Sequence, residues 1–210
     1  MSSSSPNDQA AGLRRMLEKR HDIRQIGFIS TVSSVDKNAF LINLASAFSL
    51  AGKQVHLLDA SHDQHGIANH LHCHPKLWLF NQNTESTDIE QHRFAPGIVV
   101  SRFCQVPFKT FADNVDALNK LSNGLASVMT GSDICLIDIQ LDDSPLVMPV
   151  LKNSDIVILS TPDSESVKAA YMAIKHCYSH AHSGQIYFIV INSNPSQAKQ
   201  AQQNISHTCK

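Results

Sequence analysis

Ile26-Gly-Phe-Ile-Ser-Thr-Val-Ser-Ser-Val-Asp-Lys-Asn-Ala-Phe-Leu-Ile-Asn-Leu44 is the stretch whose reading decides the fold. Ile26 to Val32 is short, apolar and rich in β-branched residues, and reads as a strand. A polar turn follows. From Asn38 to Ala51 the period becomes helical, and Phe40, Leu41, Leu44, Ala45 and Phe48 fall on one inward face. Gly52 ends the helix, and Gln54-Val-His-Leu-Leu-Asp59 is a second strand. A strand, a helix and a second strand in this order make a βαβ unit, which forces the two strands to run parallel.

The alternation continues outward. Ile98–Arg102, Asp133–Asp138, Ile156–Ser160 and Gln185–Asn192 read as strands. Asp113–Met129, Ser144–Leu151 and Ser164–His180 read as helices. Apolar strands between amphipathic helices predict an α/β fold, a doubly wound, mostly parallel sheet flanked by helices and joined by right-handed crossovers. His62 to Arg93 is polar and irregular and yields no clear element. Residues 23–210 therefore form one domain, and residues 1–22 an appendage to it. Within the appendage, Asn7 or Asp8 caps a helix to about Arg20, with Leu13, Met16 and Leu17 on one face. Gly12 costs that helix about 1 kcal/mol against alanine, so it needs a surface to dock on.

Composition narrows the class. At 210 residues with 42% hydrophobic residues the chain can bury a sizeable core. A net charge of −1 gives no global attraction to nucleic acid or an anionic membrane. Cys73, Cys104, Cys135, Cys177 and Cys209 are odd in number and lack a CxxC pair, which suits a reducing compartment; Cys135 lies in an apolar run and reads as a buried thiol. The first residues lack a basic region followed by an apolar one, and no apolar run reaches membrane-spanning length. These features place the chain in the cytoplasm.

In such a fold the first strand-to-helix turn is the natural phosphate site, where glycines let backbone amides approach the anion and the helix N-terminus adds positive potential. Here Thr31 to Asn38 contains a lysine and no glycine. Asp36 would face a polyphosphate with a carboxylate, and at an effective dielectric of 20 each close like-charge contact costs roughly 4 kcal/mol. Asn38 offers Mg²⁺ a weaker oxygen than a hydroxyl would.

Asn43 to Ala60, ending Leu57-Leu-Asp-Ala60, resembles the helix and second strand of the MinD/ParA family of P-loop ATPases. That family's phosphate loop reads KGGxGK[ST], and its second strand ends LLDAD. The resemblance places Lys37 on the phosphate lysine, Asn38 on the Mg²⁺ ligand and Val32 on the first lysine. Ser33, Ser34 and Asp36 then fall on the glycine positions. Asp59 matches the first aspartate of DAD, and Ser61 replaces the second, which in the family prepares the attacking water. After three extra residues, Gly66-Ile-Ala-Asn69 looks like the family's GLAN. Ile134–Asp138 resembles the Walker B strand, and Ser154–Pro162 with Ala170-Tyr171 and Ile174-Lys175 is similar to the segment after it. Asn192 fits the adenine-side VNR motif, with Ser193 in place of its arginine. The likeness, over about residues 26–192, implies the nucleotidase fold with degenerate nucleotide-binding positions at Lys37, Asn38, Asp59, Asp138 and Asn192. With so many losses no catalytic residue is assigned and no cofactor is expected. A weak ATPase that still used Lys37, Asp59 and Asp138 would need ATP and Mg²⁺.

Asp8-Gln-Ala-Ala-Gly-Leu-Arg-Arg-Met16 resembles the N-terminal DQAxGLRRL element of the flagellar-number regulators FlhG/FleN, a branch of the same family. In those relatives the element engages and stimulates the GTPase FlhF. The resemblance implies Asp8, Gln9, Leu13, Arg14 and Arg15 as partner-binding residues, with Gln9 orienting water and an arginine offsetting phosphate charge. It implies a non-catalytic, monomeric regulator of flagellar number or placement, brought to the cell pole by its partner. Rival roles on the same scaffold are restraint of a flagellar transcriptional activator or binding of switch proteins. The relatives' C-terminal membrane helix has no counterpart in Ser196–Ile205, which is polar on every face.

Other clusters carry less. His62, His65, His70, His72 and His74 cluster, but His70, His72 and His74 alternate like a strand and fit no compact metal-ligand spacing, and His176 and His180 stand one helical turn apart, so no metal site is assigned. Asp142 and Asp143 read as a solvated loop.

Overall fold

The computed structural model describes residues 23–61, 65–73, 91–102, 129–140, 151–179 and 182–208. The expected N-terminal helix lies outside them, as do nearly all of the helices expected at Asp113–Met129 and Ser144–Leu151.

Seven strands form one sheet: β1 (Arg24–Ser30), β2 (Val55–Asp59), β3 (His92–Ala95), β4 (Ile98–Arg102), β5 (Ile134–Ile139), β6 (Asp155–Ser160) and β7 (Ile186–Val190). Their spatial order is β3-β4-β2-β5-β1-β6-β7. All pairings are parallel except β3 with β4. The described helices are α1 (Ser34–Leu50), α2 (Ile67–His70), α3 (Ser164–Ser179) and α4 (Pro195–Thr208).

Strand alternation divides the core into two layers. Phe28, Leu57, Leu136 and Leu159 face one side and pack with Leu41 and Ala45 of α1 and Ile67 and Ala68 of α2. Their neighbours Ile29, Leu58, Ile137 and Ile158 face the other, under Val167, Ala170 and Ile174 of α3 and Ala201 and Ile205 of α4. Cys135 is fully buried, and burial pushes its thiol pKa well up.

Three expectations need correction. The first helix begins at Ser34 rather than Asn38. The irregular region contains α2 and the antiparallel edge strand β3, which joins β4 through Pro96-Gly97. Gly97 adopts φ 71°, and a Cβ there would press on Ser49 Oγ, which donates to Pro96 O. Finally, the polar C-terminal stretch is a helix, held down by only two buried side chains, Ala201 and Ile205.

Candidate functional site

β1 lies between β5 and β6, and the chain leaves it outward to β2 and later returns through β5. The crevice at the carboxyl ends of β1, β2 and β5 is where open α/β sheets take ligands. Three charged residues stand there in one row across the sheet. Register pairs Arg102 of β4 with Asp59 of β2, and Asp59 with Asp138 of β5. Lys37, from the first turn of α1, enters the same place.

Lys37 Nζ donates to Asp138 Oδ2 at 2.6 Å, with the two side chains only 9% and 1% exposed. Burial raises the Asp138 pKa, and Asp59 adds to the rise, while Lys37 and the Ile67 amide oppose it; the result is about 6. Asp59, fully buried, accepts from the Ser61 amide at 3.0 Å, from Ser61 Oγ at 2.5 Å and from the Ala68 amide at 3.0 Å. Arg102 Nε stands 3.8 Å from Asp59 Oδ2. The two carboxylates are thus matched by two cations. The Ala68 amide at the start of α2 anchors Asp59, and Gly66 makes this possible, because a Cβ there would collide with Ser61 Oγ and both Asp59 carboxylate oxygens.

The turn before Lys37 is a helix cap. Ser33 is the N-cap of α1; its Oγ accepts from the Asp36 amide at 3.2 Å and donates to Asp36 Oδ2 at 2.8 Å. The Lys37 amide bonds to Ser33 O at 3.0 Å. A phosphate cradle needs amides left free and some left-handed backbone, and no residue from Thr31 to Asn38 has positive φ. Ser33 thus takes up one amide of the helix start, that of Asp36, in a cap in which its hydroxyl also donates to the Asp36 carboxylate. Val35 projects outward, 66% exposed.

Asn38 is buried and donates through Nδ2 to His65 O at 3.1 Å. Its Oδ1 and Asp138 Oδ1 are buried without hydrogen-bond partners among the described residues. The structure therefore brings together Lys37, Asn38, Asp59 and Asp138. Asn192 stands apart beyond β7, exposed and with φ 52°. Asp8, Gln9, Leu13, Arg14 and Arg15 lie outside the described residues. Sequence reasoning missed Arg102, which was read only as a strand end. Its signal was present: it ends its strand as Asp59 ends its own, so aligning the two strand ends sets the charges side by side. No group of histidine, cysteine and acidic residues among the described residues is arranged to hold a metal ion.

No family model matches the chain, and no curated protein matches its sequence. Solved structures do resemble it. The MinD cell division protein of Aquifex aeolicus is 14% identical at a TM-score of 0.58, with 88% of this chain and 77% of that one covered. A ParA family ATPase from Chlorobium tepidum is 16% identical at 0.58, covering 87% and 80%. A plasmid partition protein from Borrelia burgdorferi, solved bound to AMPPNP, is 16% identical at 0.62, covering 89% and 83%. The chain has the MinD/ParA-type P-loop fold. At such identities the likeness speaks to the fold and leaves the chemistry to the site.

The fit of a nucleotide to that site is poor. Triphosphate oxygens would meet the Asp36 carboxylate and amides already bonded within the cap. Lys37 is held by Asp138, and the charge row is neutral as it stands. No helix among the described residues is long and apolar enough to cross a membrane.

Proposed function

We propose that this chain is a regulator built on the MinD/ParA fold that performs no nucleotide chemistry and works through protein contacts. In this reading it is an FlhG/FleN-like regulator of flagellar number or placement, whose N-terminal segment acts on an FlhF-like GTPase. The observation that carries the loss of chemistry is the buried Lys37–Asp138 pair at 2.6 Å. A phosphate lysine must be free to meet an incoming anion, and withdrawing Lys37 would strand Asp138 beside Asp59 in a buried setting. The capped turn removes the other half of the cradle.

The partner is argued from Asp8 to Met16, whose DQAxGLRR-like pattern supplies a glutamine to orient water and two arginines to offset phosphate charge. The protein then works in the cytoplasm, at the pole when its partner is there. A weak ATPase is the second reading, favoured by the convergence of Lys37, Asp59 and Asp138 at the expected strand ends.

Two experiments separate these readings. Millimolar Mg-ATP leaves the melting temperature unchanged if the site takes no nucleotide, since a ligand stabilises only a state it binds. A rise of several degrees, absent with adenosine, supports the ATPase. Separately, a peptide covering Ser5 to Arg20 accelerates single-turnover GTP hydrolysis by the cognate FlhF-like protein. Gln9→Ala removes most of that acceleration while preserving binding. A peptide that binds without changing the rate ends the activator reading and leaves restraint of a transcriptional activator or binding of switch proteins as the role.

A further inference from the structure

β7 ends the sheet and, among the described residues, has a strand partner on one edge only, β6. Its sequence, Ile186-Tyr-Phe-Ile-Val190, is apolar or aromatic throughout, yet none of these residues is buried. Every residue of β2 and β5, inside the sheet, is buried. The backbone of β7 is as open as its side chains. Ile156 N donates to Gln185 O at 2.8 Å and Ile191 N to Ser160 O at 2.9 Å. In a parallel pair that phase turns the N–H and C=O of Tyr187 and Ile189 toward β6, and those of Ile186, Phe188 and Val190 away from it. Among the described residues, the outward groups meet only the Ser193 hydroxyl, which reaches Val190 O at 3.5 Å.

The opposite edge of the sheet is guarded. β3 is short, exposes Arg93, and breaks register with a bulge between Arg93 and Ala95. Such devices stop a further strand from adding. β7 has no charged residue and no proline, and its register with β6 runs unbroken from Ile186 to Val190. An apolar, regular, unguarded edge is a template for another strand. The pattern of β7 selects a second copy of itself. Turned antiparallel about Phe188, two such strands set Phe188 opposite Phe188 of the second copy, and Ile186 opposite its Val190. These are the residues whose N–H and C=O face outward, so each pair exchanges both N–H···O bonds, as in the hydrogen-bonded pairs of an antiparallel ladder. Tyr187 then stands opposite Ile189 of the second copy, an aromatic against a branched side chain, which is a favourable cross-strand pair. Apolar meets apolar at every position, and no like charges face each other.

We infer that the chain pairs with a second copy of itself through β7, in a two-fold dimer whose two sheets become one across the dyad. This departs from the monomer that the flagellar-regulator resemblance implies, and it is independent of the GTPase role. It needs no nucleotide, because the crevice at β1, β2 and β5 contributes nothing to this edge. A strand of 5 residues on each side is small beside the roughly 20–30 residues a side of a standard interface, which places dissociation in the micromolar range.

Sedimentation equilibrium of the full chain without nucleotide, from about 1 μM to several hundred, is expected to pass from monomer to dimer. Amide hydrogen exchange followed by NMR over the same range locates the contact. The amides of Ile186, Phe188 and Val190 gain protection as concentration rises, while those of Tyr187, Ile189 and Ile191, on the β6 side, are slow throughout. Tyr187→Lys puts a charge on a side chain already 45% exposed, so the monomer tolerates it, and dimerisation weakens roughly tenfold or more. Ile186→Pro removes an outward N–H at the first residue of an edge strand, where proline spares the β6 ladder, and weakens the dimer as well. Phe94→Lys, on β3, leaves the dimer intact. A chain that stays monomeric at the highest concentration overturns the inference, as does a dimer indifferent to Tyr187→Lys. Protection of Ile186, Phe188 and Val190 already complete at the lowest concentration means that the chain covers its own edge, and overturns it equally. A dimer lost with Phe94→Lys and kept with Tyr187→Lys moves the contact to β3 and also refutes it.

Discussion

Removing the Lys37 ammonium while keeping its volume, with Lys37→Met, exposes what the buried pair does. In the native chain Asp138 is 1% exposed and meets the lysine at 2.6 Å. Without that lysine a carboxylate sits in the interior beside Asp59, and Arg102 stands 3.8 Å from Asp59 rather than beside Asp138. Stranding one member of a buried pair costs about 3–5 kcal/mol, a large share of the roughly 5–15 kcal/mol that holds a domain of this size folded. Asp138→Leu costs a comparable amount, since it strands the lysine. The double variant Lys37→Met with Asp138→Leu removes both charges and keeps the volume, so it is expected within about 1 kcal/mol of wild type or above it. The coupling between the sites is then on the order of several kcal/mol.

Urea unfolding at pH 7, followed by far-ultraviolet circular dichroism and read at constant m-value, gives all four stabilities. The loss caused by Lys37→Met also depends on pH. Asp138 already titrates near 6 when folded, above the usual carboxylate range, because burial outweighs the pull of Lys37. A raised folded pKa means that this group's contribution to stability is full below the unfolded value and is lost as pH rises through about 6. Removing Lys37 moves the folded pKa higher still, so the variant's deficit is smaller at pH 5 than at pH 8. Single variants that each cost under about 1 kcal/mol, with an additive double, would refute the buried pair as the element that closes this site.

Gly66→Ala drives a Cβ into Ser61 Oγ and the Asp59 carboxylate, so about 1–3 kcal/mol of overpacking cost is expected in the same urea assay. Carbon-detected NMR of the aspartate carboxyls should find one resonance, that of Asp138, titrating near 6 in the wild type and higher in Lys37→Met. A midpoint in the ordinary carboxylate range would mean that water reaches the pair.

The fold was legible because each strand read from the sequence carries apolar residues on both faces, which only a doubly covered sheet can use. Phe28 and Ile29, or Leu57 and Leu58, are adjacent in sequence and buried in opposite layers. The start of α1 was not legible from periodicity, because Ser33 to Asp36 are polar. It follows instead from cap chemistry: a serine three residues before an aspartate satisfies the helix start at Ser34. β3 escaped notice for a different reason. His92, Arg93 and Phe94 form an exposed edge, so its residues need no apolar alternation, and the strand is held by pairing with β4. Lys37, Asn38, Asp59 and Asp138 were named through the MinD/ParA resemblance, and the structure sets them at neighbouring strand and helix ends. Their mutual contacts were not, since a lysine that would serve a phosphate and one that neutralises an acid look identical in sequence.

Those contacts explain why separate losses in this site reinforce one another. Ser33 and Asp36 cap the start of α1, and the cap takes up the Asp36 amide. Lys37 and Asp138, both buried, balance each other's charge. Asp59 is likewise committed, because Ser61 fills the position of the second aspartate and donates to it through both amide and hydroxyl. Arg102 completes the neutral row from β4. The contacts that balance these charges therefore also hold the strand ends of the crevice together. In this way a MinD/ParA-type fold balances the charges at its strand ends with its own side chains.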